Sequence, residues 1–233
     1  MVFSGIVEEL GTVAVNEHLH GGLDNVARPG RNHSYSGGRL ELAAERVIAG
    51  AQPGSSIAVN GCCLTVVSLD DKCISVEVTP ETAGRTTLAT VRPGELVNLE
   101  APLRLGAPVN GHLVTGHIDA VGTIREVSAD GNSRRVRIAA PDHVLDFVVP
   151  KGSIAVEGIS LTVVDVLTDA FTIALIPFTL STTTAKAWEH GRAVNLEVDV
   201  LARYVGRSVE MHLKSHPHTT SARSSFSPEA AAW

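Results

Sequence analysis

The most constraining feature of this chain is a pattern that it contains twice. Residues 152–164 read GSIAVEGISLTVV, and residues 55–67 read SSIAVNGCCLTVV. Equivalent positions are 97 residues apart, as Ile57 is from Ile154. Each copy is an apolar run, a glycine and a second run that alternates through a threonine, which predicts two strands joined by a tight turn. A duplication with this spacing predicts two units of about 100 residues each.

Further matches extend the duplication over most of the chain. Residues 5–13 match residues 116–124 at a spacing of 111, whereas residues 97–100 match residues 194–197 at a spacing of 97. The first copy therefore carries 14 additional residues. They fall where the polar, glycine-rich stretch 18–38 lies, which predicts a long surface loop.

Each half contains about six short strand patterns with turn residues between them. This arrangement predicts an all-β fold of small closed barrels, because closure leaves no exposed sheet edge. In the first half the expected elements are strands at 3–15, 39–44, 56–60, 62–69, 73–79 and 96–101, a short helix at 45–51, and a turn or single helical turn at 80–84.

The end of the chain has no counterpart in the first half. Residues 200–213 have apolar residues at helical spacing, which predicts an amphipathic helix whose stripe is a candidate subunit interface. Residues 215–233 are rich in Ser, His and Pro and are predicted to be disordered. The expected units are a barrel over 1–101, a barrel over 109–199, a helix over 200–214 and the tail over 215–233.

Composition excludes several classes of protein. The formal charge of −6 and the absence of a basic run argue against nucleic acid and anionic membranes as partners. No apolar stretch reaches the ~18 residues of a spanning helix. The first nine residues do not resemble a signal peptide, and three cysteines make a poor disulfide framework, so we expect a reducing cytoplasm.

A set of short motifs resembles the riboflavin synthases of the α-chain type, which are built from two lumazine-binding repeats. The motifs follow the family order and are FSGI at 3–6, NGCCLT at 60–65, GHLVTGHI at 111–118, EGISLT at 157–162, IPFT at 176–179 and VNLEVD at 194–199. The resemblance implies two tandem six-stranded Greek-key β-barrels and a C-terminal helix that assembles a homotrimer. Two departures are Val2 before the phenylalanine and the longer loop over 18–38.

The resemblance also implies an activity. Two molecules of 6,7-dimethyl-8-ribityllumazine undergo a dismutation, in which one gives a four-carbon unit to the other. This transferase reaction yields riboflavin and 5-amino-6-ribitylamino-pyrimidinedione, needs neither a cofactor nor a metal, and implies an association with lumazine synthase. The alternative is a non-catalytic relative that binds lumazine or flavin as an optical antenna. A flavin-carrying reductase would need a nicotinamide-binding domain, for which the chain has no motif.

Alignment of the two repeats shows where they differ in chemistry. The differing pairs, with the first half named first, are Ile6 and His117, Gly54 and Lys151, Pro102 and Asp199, and Cys63 and Ser160. The polar His, Lys and Asp therefore occur only in the second half, and the thiol occurs only in the first. Thr65 and Thr162 are shared, as expected for groups that hold a ring in both barrels.

Each candidate has a simpler alternative. His117 has the pKa range of a general base, but it is otherwise a strand histidine. Cys63 is expected to contact the ligand rather than to attack it, and is otherwise a small buried hydrophobe. Asp199 is otherwise a helix N-cap, and Lys151 a turn lysine. His112 is expected on the opposite strand face from His117, which argues against a shared metal site.

The resemblance places these residues and their neighbours in the site. The implied catalytic residues are His117, Ser56, Cys63, Ser160, Thr162 and Asp199. The implied substrate-binding residues are Ser4, Gly5, Ile6, Cys63, Leu64, Thr65, Glu77, Val78, Thr79, Pro80, Glu81, Thr82, Gly116, His117, Ile118, Lys151, Ser160, Leu161, Thr162, Ala174, Leu175, Ile176, Pro177, Phe178 and Thr179.

Overall fold

The structure, a computed structural model, describes residues 1–17 and 37–215. Most of the surface loop expected over 18–38 and most of the disordered tail expected over 215–233 lie outside the described residues.

The first repeat folds into a closed antiparallel barrel. Its strands are β1 (Glu9–Glu17), β2 (Gly38–Ala43), β3 (Ser56–Val59), β4 (Cys62–Leu69), β5 (Cys73–Val78) and β6 (Leu96–Glu100). Around the barrel they follow the order β1-β2-β5-β4-β3-β6, and β6 pairs with β1 to close the sheet.

The second repeat forms the same barrel. Its strands are β7 (Ala120–Asp130), β8 (Ser133–Ala139), β9 (Ser153–Val156), β10 (Ile159–Val166), β11 (Ala170–Leu175) and β12 (Ala193–Val198). The closed order β10-β11-β8-β7-β12-β9 is that of the first barrel with each strand replaced by its repeat partner. The predicted pair of six-stranded Greek-key barrels is therefore confirmed.

Short helices connect the strands, and a longer one follows the second barrel. The helices are α1 (Pro80–Arg85), α2 (Asp142–Leu145), α3 (Pro177–Thr182) and α4 (Val200–Ser215), with 3₁₀ turns at Thr87–Thr90 and Thr184–Ala187. The expected C-terminal helix is confirmed as α4, which begins directly after β12. The side chain of Arg203 contacts both carboxylate oxygens of Asp119 at 2.9 Å and so ties α4 to the second barrel.

Two expected elements are wrong. Residues 45–51 form turns rather than a helix. The half-buried carboxylate of Glu9 accepts the backbone N–H groups of Glu45, Arg46 and Val47 and so holds the segment as a tight bend. The first strand begins at Glu9 rather than at residue 3, because the residues before it pair with another part of the chain.

The barrel interiors are filled with side chains. Along β4, Cys62, Leu64 and Val66 are buried inside the first barrel, whereas Cys63 and Thr65 point outward. The equivalent strand β10 shows the same alternation. Because both lumens are packed with apolar groups, the outer faces of the barrels are the surfaces open to a ligand.

The hairpins β3–β4 and β9–β10 bring the two barrels into contact. Each has a two-residue loop with positive φ at both positions, at Asn60 (46°) and Gly61 (79°) in one and at Glu157 (50°) and Gly158 (76°) in the other. Such angles are typical of type I′ turns. The loops lie back to back, so that a Cβ atom built on Gly61 would be 2.6 Å from the backbone nitrogen of Gly158.

A buried asparagine pair fixes this contact. Asn98 Oδ1 accepts the backbone N–H of Thr184, and Asn195 Oδ1 accepts that of Thr87, both at 2.8 Å. Their amide groups donate across the interface, from Asn98 to the carbonyl of Glu157 and from Asn195 to that of Asn60. The matched VNLE motifs therefore hold the barrels in a two-fold relationship.

Candidate functional site

Two segments cross between the barrels. We call residues 3–7 the first strap and residues 114–118 the second strap. They pair at Phe3 and Val114, whose backbone groups exchange hydrogen bonds of 2.7 and 3.1 Å. Phe3 is completely buried there among apolar residues of both repeats, so it fills the core at this crossing.

Each strap binds to the barrel of the other repeat. The backbone N–H of Ser160 in β10 donates to the carbonyl of Gly5 at 2.7 Å, and Val7 packs on the second core. In the same way the N–H of Cys63 in β4 donates to the carbonyl of Gly116 at 2.9 Å, and Ile118 packs on the first core. The straps are thus exchanged, which the repeat alignment did not indicate.

Glycine is required at the centre of each strap. Gly5 and Gly116 have φ values of +74° and +78°. A Cβ atom on Gly5 would lie 2.6 Å from Cβ of Ser160, and one on Gly116 would lie 2.5 Å from Cβ of Cys63. Both the backbone conformation and the close approach therefore exclude larger residues.

A buried carboxylate holds each strap at the preceding residue. The N–H and hydroxyl of Ser4 donate to Oε1 of Glu100 at 2.7 Å, and the N–H of Gly5 donates to Oε2 at 3.0 Å. Burial raises the pKa of Glu100 above its ordinary 4.5, and these hydrogen bonds act in the opposite direction. Glu197 holds the second strap in the same way.

The exchange sorts the predicted residues into two half-sites. The first half-site lies on the outer face of the first barrel and brings together Cys63, Thr65, Glu77, Thr79, Pro80, Glu81, Thr82, Gly116, His117 and Ile118. The predicted Leu64 and Val78 belong to the same strands, but their side chains are buried in the barrel core and do not face this site. The second half-site lies on the outer face of the second barrel and brings together Ser4, Gly5, Ile6, Ser160, Thr162, Ala174, Ile176, Pro177, Phe178 and Thr179. The predicted Leu161 and Leu175 belong to the same strands, but their side chains are buried in the barrel core and do not face this site.

The first half-site is an open outer face with a polar row. Ser56, Thr65 and Glu77 stand side by side on neighbouring strands, since Thr65 pairs with both of the others. Thr79 caps α1 by accepting the N–H of Thr82 at 3.2 Å. Ser56 also borders a cavity of about 240 Å³ that extends to Pro102.

The two adjacent cysteines have different surroundings. Cys63 points outward beside the second strap, whose exposed His117 follows the glycine that Cys63 contacts. Cys62 points into the barrel, where burial raises the pKa of its thiol to about 12. Cys62 therefore serves packing, and the thiol available to a ligand is that of Cys63.

The second half-site contains a buried histidine. Nδ1 of His112 lies 2.7 Å from Oγ of Ser160, and Nε2 has no hydrogen-bond partner among the described residues. Burial lowers the pKa of His112 below its ordinary 6.5, while the charge of Asp199 acts in the opposite direction. His112 and Ser160 thus form a polar pair that a ligand on this face would meet.

Sequence reasoning gave His112 no role. The strand argument separated it from His117, and the two do lie at different half-sites. The available signal was the motif GHLVTGHI, in which two Gly-His pairs stand five residues apart and deliver one histidine to each barrel.

Asp199 and Lys151 occupy the positions that their simpler alternatives describe. Oδ1 of Asp199 accepts the N–H of Leu201 at 2.9 Å, so the aspartate caps the start of α4, and its negative charge also acts on the pKa of His112. Lys151 is exposed in a turn with a φ of 67°, where the first repeat has Gly54 at 89°. A lysine in this conformation costs about 1 kcal/mol relative to glycine, and no contact in the described structure accounts for it.

Metal-binding and membrane-spanning features are absent from the described part of the chain. Within residues 1–17 and 37–215, no three His, Cys, Asp or Glu side chains are grouped to hold a metal ion. None of the helices in these ranges is long and apolar enough to cross a membrane.

Comparison with known proteins matches both repeats to one domain family. The family model described as the lumazine binding domain covers residues 4–102 and 115–199. A riboflavin synthase of Mycobacterium tuberculosis is 43% identical over 210 residues, which cover 88% of this chain and 97% of that protein. A riboflavin synthase of Bacillus amyloliquefaciens is 31% identical over 97% of this chain and 98% of its own length.

Solved structures have the same fold. The crystal structure of LumP complexed with 6,7-dimethyl-8-(1′-D-ribityl) lumazine superimposes with a TM-score of 0.70 and 22% identity, over 84% of this chain and 98% of that one. Its complex with riboflavin gives a TM-score of 0.71 at the same identity and coverage.

Proposed function

Since the chain belongs to the riboflavin synthase family, we propose that it converts two molecules of 6,7-dimethyl-8-ribityllumazine into riboflavin and 5-amino-6-ribitylamino-pyrimidinedione. One lumazine donates four carbons and the other accepts them, which is a group transfer between identical molecules. The observation that carries this proposal is the pair of equivalent half-sites with unequal side chains. Two identical substrates need two similar faces, and their different roles need different groups on those faces.

The reaction first requires a proton to leave a lumazine methyl group. We assign this step to His117, which is exposed on the first half-site and is the position at which the straps differ most in chemistry. Cys63 lies beside it and contacts the ring without attacking it. On the second half-site, the pair of His112 and Ser160 holds the partner lumazine, and Asp199 orients this pair through its charge.

The polar row and the capped helices account for binding. Ser56 and Thr65 offer hydroxyls to the carbonyls and nitrogens of a lumazine on the first barrel, and Thr162 does so on the second. Lys151 supplies a cation near the second face. Bringing the two rings together contributes about 7–11 kcal/mol to the lowering of the barrier. A non-catalytic binding protein would not need the polar groups that distinguish the second repeat, so this alternative is not favoured.

The proposal is tested by incubating the purified, dialysed protein with the lumazine alone in the presence of a chelator. We expect riboflavin to appear at half the molar amount of lumazine consumed, measured by absorbance and chromatography. A requirement for NAD(P)H, added flavin or a metal ion would overturn the proposal.

The open faces also need a partner, and we propose that this is a second copy within a homotrimer. The apolar residues of α4 support it, since Leu201, Tyr204 and Val205 are 62–72% exposed in the single chain. A trimer would place the first half-site of one copy against the second half-site of the next.

Sedimentation tests this assembly. Deletion of residues 200–233 is expected to yield monomers that no longer form riboflavin, whereas deletion of 216–233 alone leaves both mass and activity unchanged. A trimeric protein after the longer deletion would place the interface elsewhere. We further propose a cytoplasmic protein that associates with lumazine synthase, which co-sedimentation of the two enzymes would test.

A further inference from the structure

The buried carboxylate of Glu197 meets the second strap at three points. The backbone N–H and the hydroxyl of Thr115 donate to Oε1 at 2.7 and 2.6 Å, and the N–H of Gly116 donates to Oε2 at 2.9 Å. Glu197 is only 1% exposed. Hydrogen bonds to a buried charged acceptor are among the strong ones in proteins, so this contact holds the strap firmly.

Glu197 and Cys63, one from each barrel, both form hydrogen bonds with the backbone of Gly116. Glu197 belongs to β12 of the second barrel and takes the N–H of Gly116, while Cys63 of the first barrel donates its N–H to the carbonyl of Gly116. The next residue is His117, whose backbone is therefore fixed relative to the outward thiol of Cys63. No other hydrogen bond to the backbone of Gly116 is present in the described structure.

We propose that Glu197 is a positioning residue for His117, and that it sets the distance of the imidazole from a lumazine bound on the first half-site. Glu100 does the same for Ile6 on the second half-site. The expected effect on the rate rests on the proposed function, but the hold of Glu197 on the second strap can be measured without catalysis. A displacement of a reacting group by about 1 Å can cost about 100-fold in rate.

The substitution Glu197→Gln tests this proposal most directly. Its carbonyl oxygen can still accept the two donors of Thr115, which leaves its NH₂ group facing the N–H of Gly116, where neither group can accept. The strap is thus released at the residue before His117. We expect kcat to fall by about 10–100-fold, with the affinity for the lumazine changed by less than about threefold.

Two backgrounds separate positioning from general damage. In a protein that already carries His117→Gln, the substitution Glu197→Gln should lower the remaining kcat by less than about twofold, because the group it positions is gone. The matched change Glu100→Gln should lower kcat by the same factor with and without His117→Gln, since it acts on the other strap. Equal losses with and without His117 would overturn the proposal.

A second measurement does not depend on activity. In a Cys73→Ser protein, the alkylation rate of Cys63 reports whether the second strap is seated, because Cys62 is buried. Glu197→Gln should raise this rate by about tenfold, whereas Glu100→Gln should leave it unchanged. An unchanged alkylation rate of Cys63 in the Glu197→Gln protein would show that Glu197 does not hold the second strap, even if riboflavin is formed.

Thr115→Val provides a milder test if Glu197→Gln folds poorly. It removes one donor and leaves the bond to Gly116, so a smaller fall in kcat is expected, again masked by His117→Gln. If the wild-type protein makes no riboflavin, yet Glu197→Gln raises the alkylation rate of Cys63 as expected, the proposed reaction is wrong while the hold of Glu197 on the second strap is supported.

Discussion

The two half-sites share one backbone arrangement, which we call the frame, and differ in the side chains that point outward from it. Each is closed by a strap from the other repeat, each strap has a glycine at positive φ, and each glycine is held by a buried glutamate. The first frame carries Cys63 and His117, and the second carries Ser160 and Ile6 in their places. Duplication has therefore preserved what positions the backbone, while the side chains that would face a ligand have diverged.

Removing the imidazole of the first half-site is expected to have the largest effect. His117→Gln keeps much of the shape and some hydrogen bonding but removes the base, so kcat should fall about 10²–10⁴-fold with a much smaller change in affinity. Cys63→Ser should cost less, because a hydroxyl replaces a polar contact. Steady-state rates with separate lumazine titrations compare the two. A dead Cys63→Ser enzyme beside a nearly normal His117→Gln enzyme would reopen a covalent thiol mechanism.

The equivalence of the two frames can be tested at the strap glycines. Gly116→Ala and Gly5→Ala should each lower the free energy of unfolding by about 2–4 kcal/mol, because the methyl group meets the opposite barrel and the φ is unfavourable.

Gly131→Ala is the matched control for these two variants. Gly131 also has a positive φ, of 60°, but a built Cβ meets no described atom within 4 Å, so only about 1 kcal/mol is expected. Urea unfolding measures all three proteins. Equal losses in the three would mean that the straps are not tightly seated.

The exchange of straps changes what an isolated first barrel should do. Residues 1–101 alone contain Ser4 and Gly5, yet the carbonyl of Ser4 accepts the N–H of His112 and that of Gly5 accepts the N–H of Ser160, both of which lie beyond this fragment. A fragment of residues 1–118 carries the strap that the first half-site uses. It should bind lumazine about tenfold more tightly than 1–101 in a fluorescence titration, and Gly116→Ala should abolish the gain. Equal affinities would contradict the exchange.

A further difference between the repeats lies in the buried hairpin loops, where Glu157 stands in place of Asn60. Burial raises the pKa of Glu157 from 4.5 to about 7, although Asn195, Arg192 and Thr87 act against this. The unfolded chain therefore loses this proton first, and the folded protein loses stability as the pH rises from about 4.5 to 7.

Glu157→Gln removes this titration. The variant should match the wild type near pH 4.5 and exceed it in unfolding free energy by up to about 3 kcal/mol above pH 7. Thermal or urea unfolding across that window measures the difference. The exposed Glu95→Gln serves as a control, and an equal pH dependence in both variants would contradict the assignment.

The fold followed from the sequence because its signals are local and repeated. Alternation through Leu64 and Val66 marks a strand, and the spacing of the two copies predicts two barrels. The turns at 45–51 were missed because they depend on the carboxylate of Glu9, which is distant in sequence. Periodicity does not record such contacts.

The residues proposed for the site could be named from the sequence, but their grouping into two half-sites could not. An alignment of repeats compares Ile6 with His117 and says nothing about which barrel each one faces. That depends on the crossing at Phe3 and Val114, which is a long-range backbone pairing. His112 was set aside for the same reason, since its partner Ser160 is 48 positions away.

The crossing of the straps also determines when each half-site is completed during synthesis of the chain. During synthesis the strands of the first barrel emerge by Glu100, but its outer face stays incomplete until residues 116–118 leave the ribosome. The other face joins Gly5, made near the beginning, to Ser160, made much later. A chain that ends before residue 116 thus carries neither face in finished form.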